Sequence, residues 1–438
     1  MAQFTDDHHH TESRGAWRLV VVLSLIATFA FVDRALLSLV VQPIKAALHL
    51  PDVTMSLLFG LTFAVGYCIS NLPAGYLADR MDRRVVLSFA AICWAIMTMI
   101  FGLSSGVTQL FLCRAGVGLA EGVISPVAFS LIRDAIPPAR RPLAFSIFSL
   151  APIFGATISL VAGGFLLKAA GAGAFRAWMI LSALAPWQAT FFLVGVAGVP
   201  VSLLLLAVPE PPRHPDHIAG KTGSAGKDLA IVWHYLVNHG RLFVPLFVFC
   251  SMAATQNFAV SAWLPTALAR TLALEPQDVG PRLGLMTFVG STLGIVAGGW
   301  MMARLARRGK SVLLVGGGAG LLSAMGIATA FFTPSHAGTW ACVQLGLLFM
   351  GISYTAGAST LSRLAPPQLM GRLSAVYVLA QTAAGYALGP LLVPTLAALP
   401  LVKNGDLAMG LAASVMLCGV IAFVSGWILQ RRIGRTTT

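Results

Sequence analysis

The chain has 438 residues, of which 57% are hydrophobic and only 10% charged, with a mean hydropathy of +0.83. Soluble domains carry about 25% charged residues, so this composition excludes a soluble enzyme and indicates a polytopic membrane protein. The formal net charge of +14 suggests nucleic acid only if the basic residues are spread at random, and they are not.

Met1–Gly15 reads as a polar tail, and its His8-His9-His10 run is expected to be inert rather than a metal site. The first apolar run, Trp17–Leu48, is long enough to cross a bilayer, because roughly 20 residues at 1.5 Å each cover the ~30 Å hydrocarbon layer. It lacks a small-residue cleavage site and reads as a retained helix rather than a signal peptide. One acid–base pair interrupts it, Asp33 and Arg34. Asp33 lies roughly 21 Å beyond Leu19 at the helical rise. Ionisable groups at that depth cost about 2.5–3.5 kcal/mol each and by default mark a functional site.

Hydropathy gives twelve spans in all. In the first half they lie at about 17–48, 54–79, 85–104, 107–134, 142–168 and 187–208. The second half has them at about 242–270, 280–304, 311–333, 338–364, 371–398 and 406–430. Pro51-Asp52 and Pro137-Pro138 punctuate two joins, and 169–187 is expected to form a short external helix. With the first helix starting in the cytoplasm, Lys45, Lys168, Arg176, Arg270, Arg282 and Lys403 fall outside, and Arg34 and Arg114 within spans. The other 21 of 29 basic residues are cytoplasmic, which is the positive-inside bias. No nucleic-acid partner is needed. The six cysteines sit in apolar runs without metal-like spacing and read as small core residues.

Pro209–Gly240, rich in Pro, Gly, Lys and His, is the longest polar connector. The expected organisation is a tail over 1–15, a six-helix bundle over 16–208, a linker over 209–240, a second bundle over 241–430 and a tail over 431–438. A repeat supports it. Gly75, Arg80, Arg83 and Arg84 recur as Gly299, Arg304, Arg307 and Arg308 at an offset of 224, with Asp79 replaced by Ala303. Pro137-Pro138 likewise recurs as Pro366-Pro367. Two related six-helix halves form a transporter architecture with a substrate site near the midplane.

Arg114 and Glu121 are seven apart in the fourth span, so they share a face roughly 10 Å apart. Glu121 and Asp33 are the only carboxylates well inside any span. A carboxylate in a low-dielectric site has a raised pKa, and a nearby arginine lowers it again. Two acids and two fixed cations thus permit exchange, in which protonation frees an arginine to hold an anion. Asp33 and Glu121 are therefore expected to couple protons, with Arg34 and Arg114 tuning them and attracting an anionic headgroup. The structural alternative is a static Asp33–Arg114 or Glu121–Arg34 bridge. These groups have no counterparts in the second half, where Gln256, Asn257, Tyr354, Tyr377 and Gln381 are the candidate polar and aromatic contacts. Gly316–Gly320 lacks the Lys-Ser/Thr of a phosphate loop and reads as helix packing. No hydrolase, nucleotide or metal constellation is present, so the expectation is a carrier, not an enzyme, driven by a proton gradient without a cofactor.

The Gly75–Arg84 segment resembles the loop 2–3 signature of the major facilitator superfamily, and the architecture agrees over the whole chain. Within that superfamily the chain resembles spinster-like transporters, through Val32-Asp33-Arg34, Gln42-Pro43-Ile44-Lys45, Arg114–Glu121, Ala128–Ile132, Pro186-Trp187-Gln188, Pro209-Glu210-Pro211-Pro212 and Trp263–Thr266. The resemblance implies twelve transmembrane helices in two bundles, proton-linked alternating access and a lysophospholipid or sphingoid-type lipid as substrate. Organic-anion/proton symporters, which carry similar pairs in helices one and four, are the alternative. Drug/proton antiporters fit less, since Gly163-Gly164 lacks the glycine–proline element expected there. The resemblance also assigns Gly75, Asp79, Arg80, Arg83 and Arg84, with Asp134, to a cytoplasmic gate, made asymmetric by Ala303. A monomer in a bacterial inner membrane, with both termini cytoplasmic, is expected.

Overall fold

The computed structural model describes residues 2–175, 177–212, 225–366, 369–400, 402 and 406–434. Among these the regular elements are helices, and twelve segments are long and apolar enough to span a membrane. The chain divides into two compact units. One comprises Met1–Leu50 with Leu61–Gly220, the other Pro51–Gly60 with Lys221–Thr438. One short segment of the second span, Pro51–Gly60, thus goes with the second unit.

The first helix, α1, runs Ala2–Leu39 and takes in the stretch expected as a tail, while α2 covers Val41–Leu48. The first run is therefore two helices rather than the single one expected. Pro43 gives the reason: it has no N–H for the Leu39 carbonyl, and its ring crowds that carbonyl. The side chains of His8, His9 and His10 lie outside the described residues.

The second span is also broken. α3 (Asp52–Phe59) stops at Gly60, and α4 (Leu61–Arg80) continues. Within the second unit, Ser56 Oγ donates to the Pro390 carbonyl at 2.8 Å, as does Trp263 Nε1 at 2.8 Å. Phe59 tilts against Trp263, and Arg270 pairs with Asp52 at 3.2 Å. A Cβ on Gly60 would lie 2.0 Å from the Tyr386 carbonyl oxygen, so only glycine fits there.

The rest of the first unit is α5 (Arg83–Gly102), α6 (Val107–Ala135), α7 (Arg141–Ser149), α8 (Ala151–Gly171), α9 (Met179–Ser182) and α10 (Pro186–Leu203). α9 is the short helix expected between spans five and six. α4 packs along α6, α5 between α6 and α10, and α1 against α8. Leu19, Leu23, Leu87, Val127 and Leu131 meet in the core. The second unit follows with α11 (Ala225–Asn238), α12 (Gly240–Leu272), α13 (Pro276–Arg307), α14 (Val312–Ala330), α15 (His336–Leu364), α16 (Met370–Ala397) and α17 (Leu407–Gly434). Its core gathers Phe243, Leu246, Phe249, Leu313, Leu373 and Leu429. Phe89, Leu112 and Val296 are each more than 60% exposed, a surface suited to hydrocarbon rather than water.

α5 starts on Asp82, whose carboxylate accepts from the backbone N–H groups of Arg84 and Val85. The Arg84 side chain, hydrogen-bonded to the same carboxylate, holds Asp82 well below the usual carboxylate range. Its stabilisation is therefore complete at neutral pH and is lost only as pH falls through that depressed value. Asp82→Ala is expected to cost about 1 kcal/mol, the usual worth of such a cap. The deficit, read as a lowered thermal midpoint in detergent, should be the same at pH 7 and pH 5.

Candidate functional site

In the first unit, α1 and α6 bring together the four ionisable side chains singled out from the sequence, and each finds its partner on the other helix. Arg114 Nη1 donates to Asp33 Oδ2 at 3.0 Å. Arg34 Nη2 donates to Glu121 Oε2. Both bridges raised as alternatives are thus present at once, and the four charges balance. The side chains of Asp33, Glu121 and Arg114 are 2%, 1% and 3% exposed, whereas Arg34 is 14% exposed. Arg34 is therefore the member of the quartet that reaches out of the protein interior.

Close helix approach sets this geometry. A Cβ on Gly118 would lie 2.3 Å from the Phe63 carbonyl oxygen, so α4 and α6 meet backbone to backbone there. Phe63 is consequently pressed between both guanidinium groups, 4.5 Å from Arg34 and 5.0 Å from Arg114. Phe31, one turn before Arg34, lies 4.2 Å from the same guanidinium. These rings supply cation–π attraction to both guanidinium groups. Ser159 Oγ donates to the Val32 carbonyl at 2.5 Å, and Asn71 Nδ2 to the Gly122 carbonyl at 3.1 Å. Each tie fixes the backbone next to one of the acids. Buried polar atoms are nearly always paired. Yet Asp33 Oδ1 and Glu121 Oε1 have no hydrogen-bond partner among the described residues, and neither has the Nε1 of Trp94, which faces Asp33.

The second unit holds the neutral candidates in two environments. Gln256 is buried and donates to the Gly320 carbonyl at 3.2 Å and Ser323 Oγ at 3.1 Å. Tyr377 is buried with its hydroxyl toward the Cys250 thiol. Asn257 and Gln381 are half-buried, and Tyr354 is 47% exposed with its hydroxyl facing Gln381. The first pair is engaged in holding helices together, while the other three keep open surface. Among the described residues no cluster of His, Cys, Asp and Glu could hold a metal ion.

At the end of the first bundle that carries the repeat motif, Arg83 is only 2% exposed. Its Nη1 donates to Asp134 at 2.5 Å and Ser130 Oγ at 3.1 Å, its Nε to Glu210 at 2.9 Å, and its Nη2 to the Pro211 carbonyl at 2.9 Å. Arg84 Nη1 donates to the Val208 carbonyl at 2.7 Å. Arg83 and Arg84 thus clamp the start of the linker onto their own bundle. Arg80 is exposed. The backbones of Gly75 and Asp79 lie on α4, and the Asp79 side chain lies outside the described residues.

Residues 23–390 match the sequence model of the Major Facilitator Superfamily. The chain belongs to that superfamily. A facilitator-type efflux pump of Mycolicibacterium smegmatis is 27% identical over 98% of this chain and 96% of its own length. The probable galactarate/D-glucarate transporter GudP of Bacillus subtilis is 23% identical over 81% of this chain and 80% of its own. In structure, the chain is similar to a bacterial homologue of the human lysosomal transporter Spinster in an inward-facing, occupied conformation. The TM-score is 0.79 at 23% identity, covering 94% of this chain and 95% of that one. This facilitator is accordingly a multi-pass membrane transporter and not an enzyme.

The sequence did not single out Phe31, Phe63, Trp94 or Glu210 as site residues of this facilitator. Phe31 was within reach, since residues three apart share a helix face. Glu210 stood in the Pro209–Pro212 stretch, quoted only for its resemblance. Phe63 and Trp94 carry no local signal, because their place beside the charges depends on how α4 and α5 pack against α6.

Proposed function

We propose that this facilitator is a proton-coupled secondary transporter of an amphiphilic anionic small molecule, of the lysophospholipid or sphingoid-lipid kind, working by alternating access. The observation that carries the reading is the Arg34–Glu121 pair, a partly exposed arginine held by a fully buried acid. A proton on Glu121 removes the charge that holds Arg34, and the freed guanidinium then binds an anionic headgroup. Loss of the proton returns Arg34 to Glu121 and expels the anion. Asp33 and Arg114 form the second, deeper pair, and the open Oδ1 of Asp33 and Oε1 of Glu121 are the atoms available to accept protons. Asn257, Tyr354 and Gln381 are the second unit's own candidates for neutral contact with substrate.

The aromatic setting of Arg34, between Phe31 and Phe63, favours a headgroup attached to an apolar body. A polyhydroxylated sugar acid would need hydrogen-bond partners that two phenyl rings do not provide. The similarity to a galactarate/D-glucarate transporter keeps a small organic anion as the second reading. In this reading the protein works in the bacterial inner membrane as a monomer with cytoplasmic termini, a polar gate at Gly75–Arg84 and Asp134, and no cofactor beyond the proton gradient. Uptake into proteoliposomes under an imposed pH difference, with lysophosphatidic acid and glucarate as probes, separates the two. Gradient-driven flux of the lysolipid, lost in Arg34→Gln, is the expected result. Flux of glucarate alone would replace the lipid reading by the organic-anion one, and no response to the gradient for either would overturn proton coupling.

A further inference from the structure

α11 lies in the linker just before α12, and nothing in the transport scheme uses it. Val232 is buried in the second unit's core, with Tyr235 and Leu236 packed against it. Yet Ile231 is 50% exposed, Trp233 69% and Val237 60%. Trp233 and Val237 are one turn apart and form an apolar stripe beside the buried face. A water-facing linker helix has no use for such a stripe. Helices that lie in the membrane interface have one, with tryptophan at the headgroup level.

The adjoining helix ends provide the complementary charge. Arg241 lies in the first turn of α12, three residues after α11, and Arg432 of α17 donates to its backbone carbonyl at 2.6 Å. Arg431 stacks on Trp427 at 3.7 Å. All three arginines are exposed, and none has a carboxylate partner among the described residues. An apolar stripe with an exposed tryptophan, next to three exposed cations that lack a carboxylate partner among the described residues, matches a surface that is apolar at one level and anionic at the next.

We propose that α11 docks on the anionic lipid surface of the adjoining leaflet, with Trp233 and Val237 at the acyl-chain boundary and Arg241, Arg431 and Arg432 against phosphate headgroups. Fixed in this way, the second bundle's end of the linker is anchored to the membrane, just as its first end is clamped by Arg83 and Arg84.

The test is tryptophan quenching in vesicles of the full-length protein, using dibrominated phosphatidylcholine or dibrominated phosphatidylglycerol at equal mole fraction. The difference between wild type and Trp233→Phe isolates the signal of Trp233. The expected result is quenching by both lipids, several-fold stronger for the glycerol lipid at low salt and converging as salt screens the headgroups. In the triple variant Arg241→Gln/Arg431→Gln/Arg432→Gln the two lipids should quench equally. If that variant does not fold, the salt dependence in wild type decides alone. Absence of quenching by either lipid would place α11 in water, and equal, salt-independent quenching in wild type would remove the anionic partner; either overturns the proposal.

Discussion

Glu121→Gln and Asp33→Asn are each expected to abolish accumulation driven by a pH gradient. Glu121→Gln should still support exchange of labelled for unlabelled substrate across the membrane. Glutamine is the neutral, near-isosteric equivalent of protonated glutamate, so Arg34 is permanently released to bind the anion but can no longer be recaptured when the proton leaves. Exchange needs only the loaded carrier to reorient, whereas accumulation needs the unloaded, deprotonated form as well. Asp33→Asn is the harsher change, because it leaves Arg114, 3% exposed, without its carboxylate. Removing one partner of a buried pair costs about 3–5 kcal/mol, whereas removing both is often neutral. Asp33→Asn/Arg114→Gln should therefore recover the thermal midpoint without recovering accumulation. A merely structural bridge predicts the opposite, with transport returning alongside stability. Full gradient-driven accumulation in both single variants would leave the two acids without a coupling role.

What could be read from the sequence divides along physical lines. The twelve spans were legible because burial in hydrocarbon demands long apolar runs whatever the tertiary structure. The quartet was legible because charge at bilayer depth is too costly to be incidental. Its cross-pairing was raised only as a pair of alternatives, since helix periodicity fixes which residues share a face but not which neighbouring face they meet. The break at Val40 could have been read from Pro43, but hydropathy does not register it, because proline in an apolar run leaves the average unchanged. The break at Gly60 has a tertiary cause, the nearby Tyr386 carbonyl.

The internal repeat shows the limit most clearly. Arg83 and Arg307 are equivalent by the offset of 224, yet Arg83 is buried among acids and Arg307 is exposed. The reason lies outside the motif. The offset between Pro137 and Pro366 is 366 − 137 = 229, which puts Arg363 where the first half has Asp134. Asymmetry was expected from Ala303 in place of Asp79. The described residues show a further source of it, the loss of the carboxylate that Arg83 binds.

Arg83→Ala is accordingly expected to be the most destabilising single change at this end of the molecule. Asp134, 1% exposed, would keep its charge in the interior without the guanidinium, and Glu210 would lose its tie to α5. Arg133 Nε, 3.9 Å from Asp134 on a side chain 46% exposed, screens that charge only weakly. The cost therefore approaches that of breaking a buried pair, about 3–5 kcal/mol. The Arg84 bond to the Val208 carbonyl, a single charge-assisted hydrogen bond worth about 1.5–3 kcal/mol, does not replace the ties of Arg83 to Glu210 and the Pro211 carbonyl. Arg83→Lys should recover little, because one ammonium cannot span Asp134, Glu210 and the Pro211 carbonyl as the fork of a guanidinium does. Arg83→Gln/Asp134→Asn should recover more, since it removes the buried charge together with its partner. The measurements are the thermal midpoint in detergent and the rate of tryptic cleavage at Arg213 and Lys221, just beyond the clamp. The expected order of cleavage is Arg83→Ala fastest, then Arg83→Lys, then the double variant, with wild type slowest. Equal cleavage in wild type and Arg83→Ala would mean that the linker is held by something other than this arginine, and an unchanged midpoint would mean that Asp134 does not depend on it for burial.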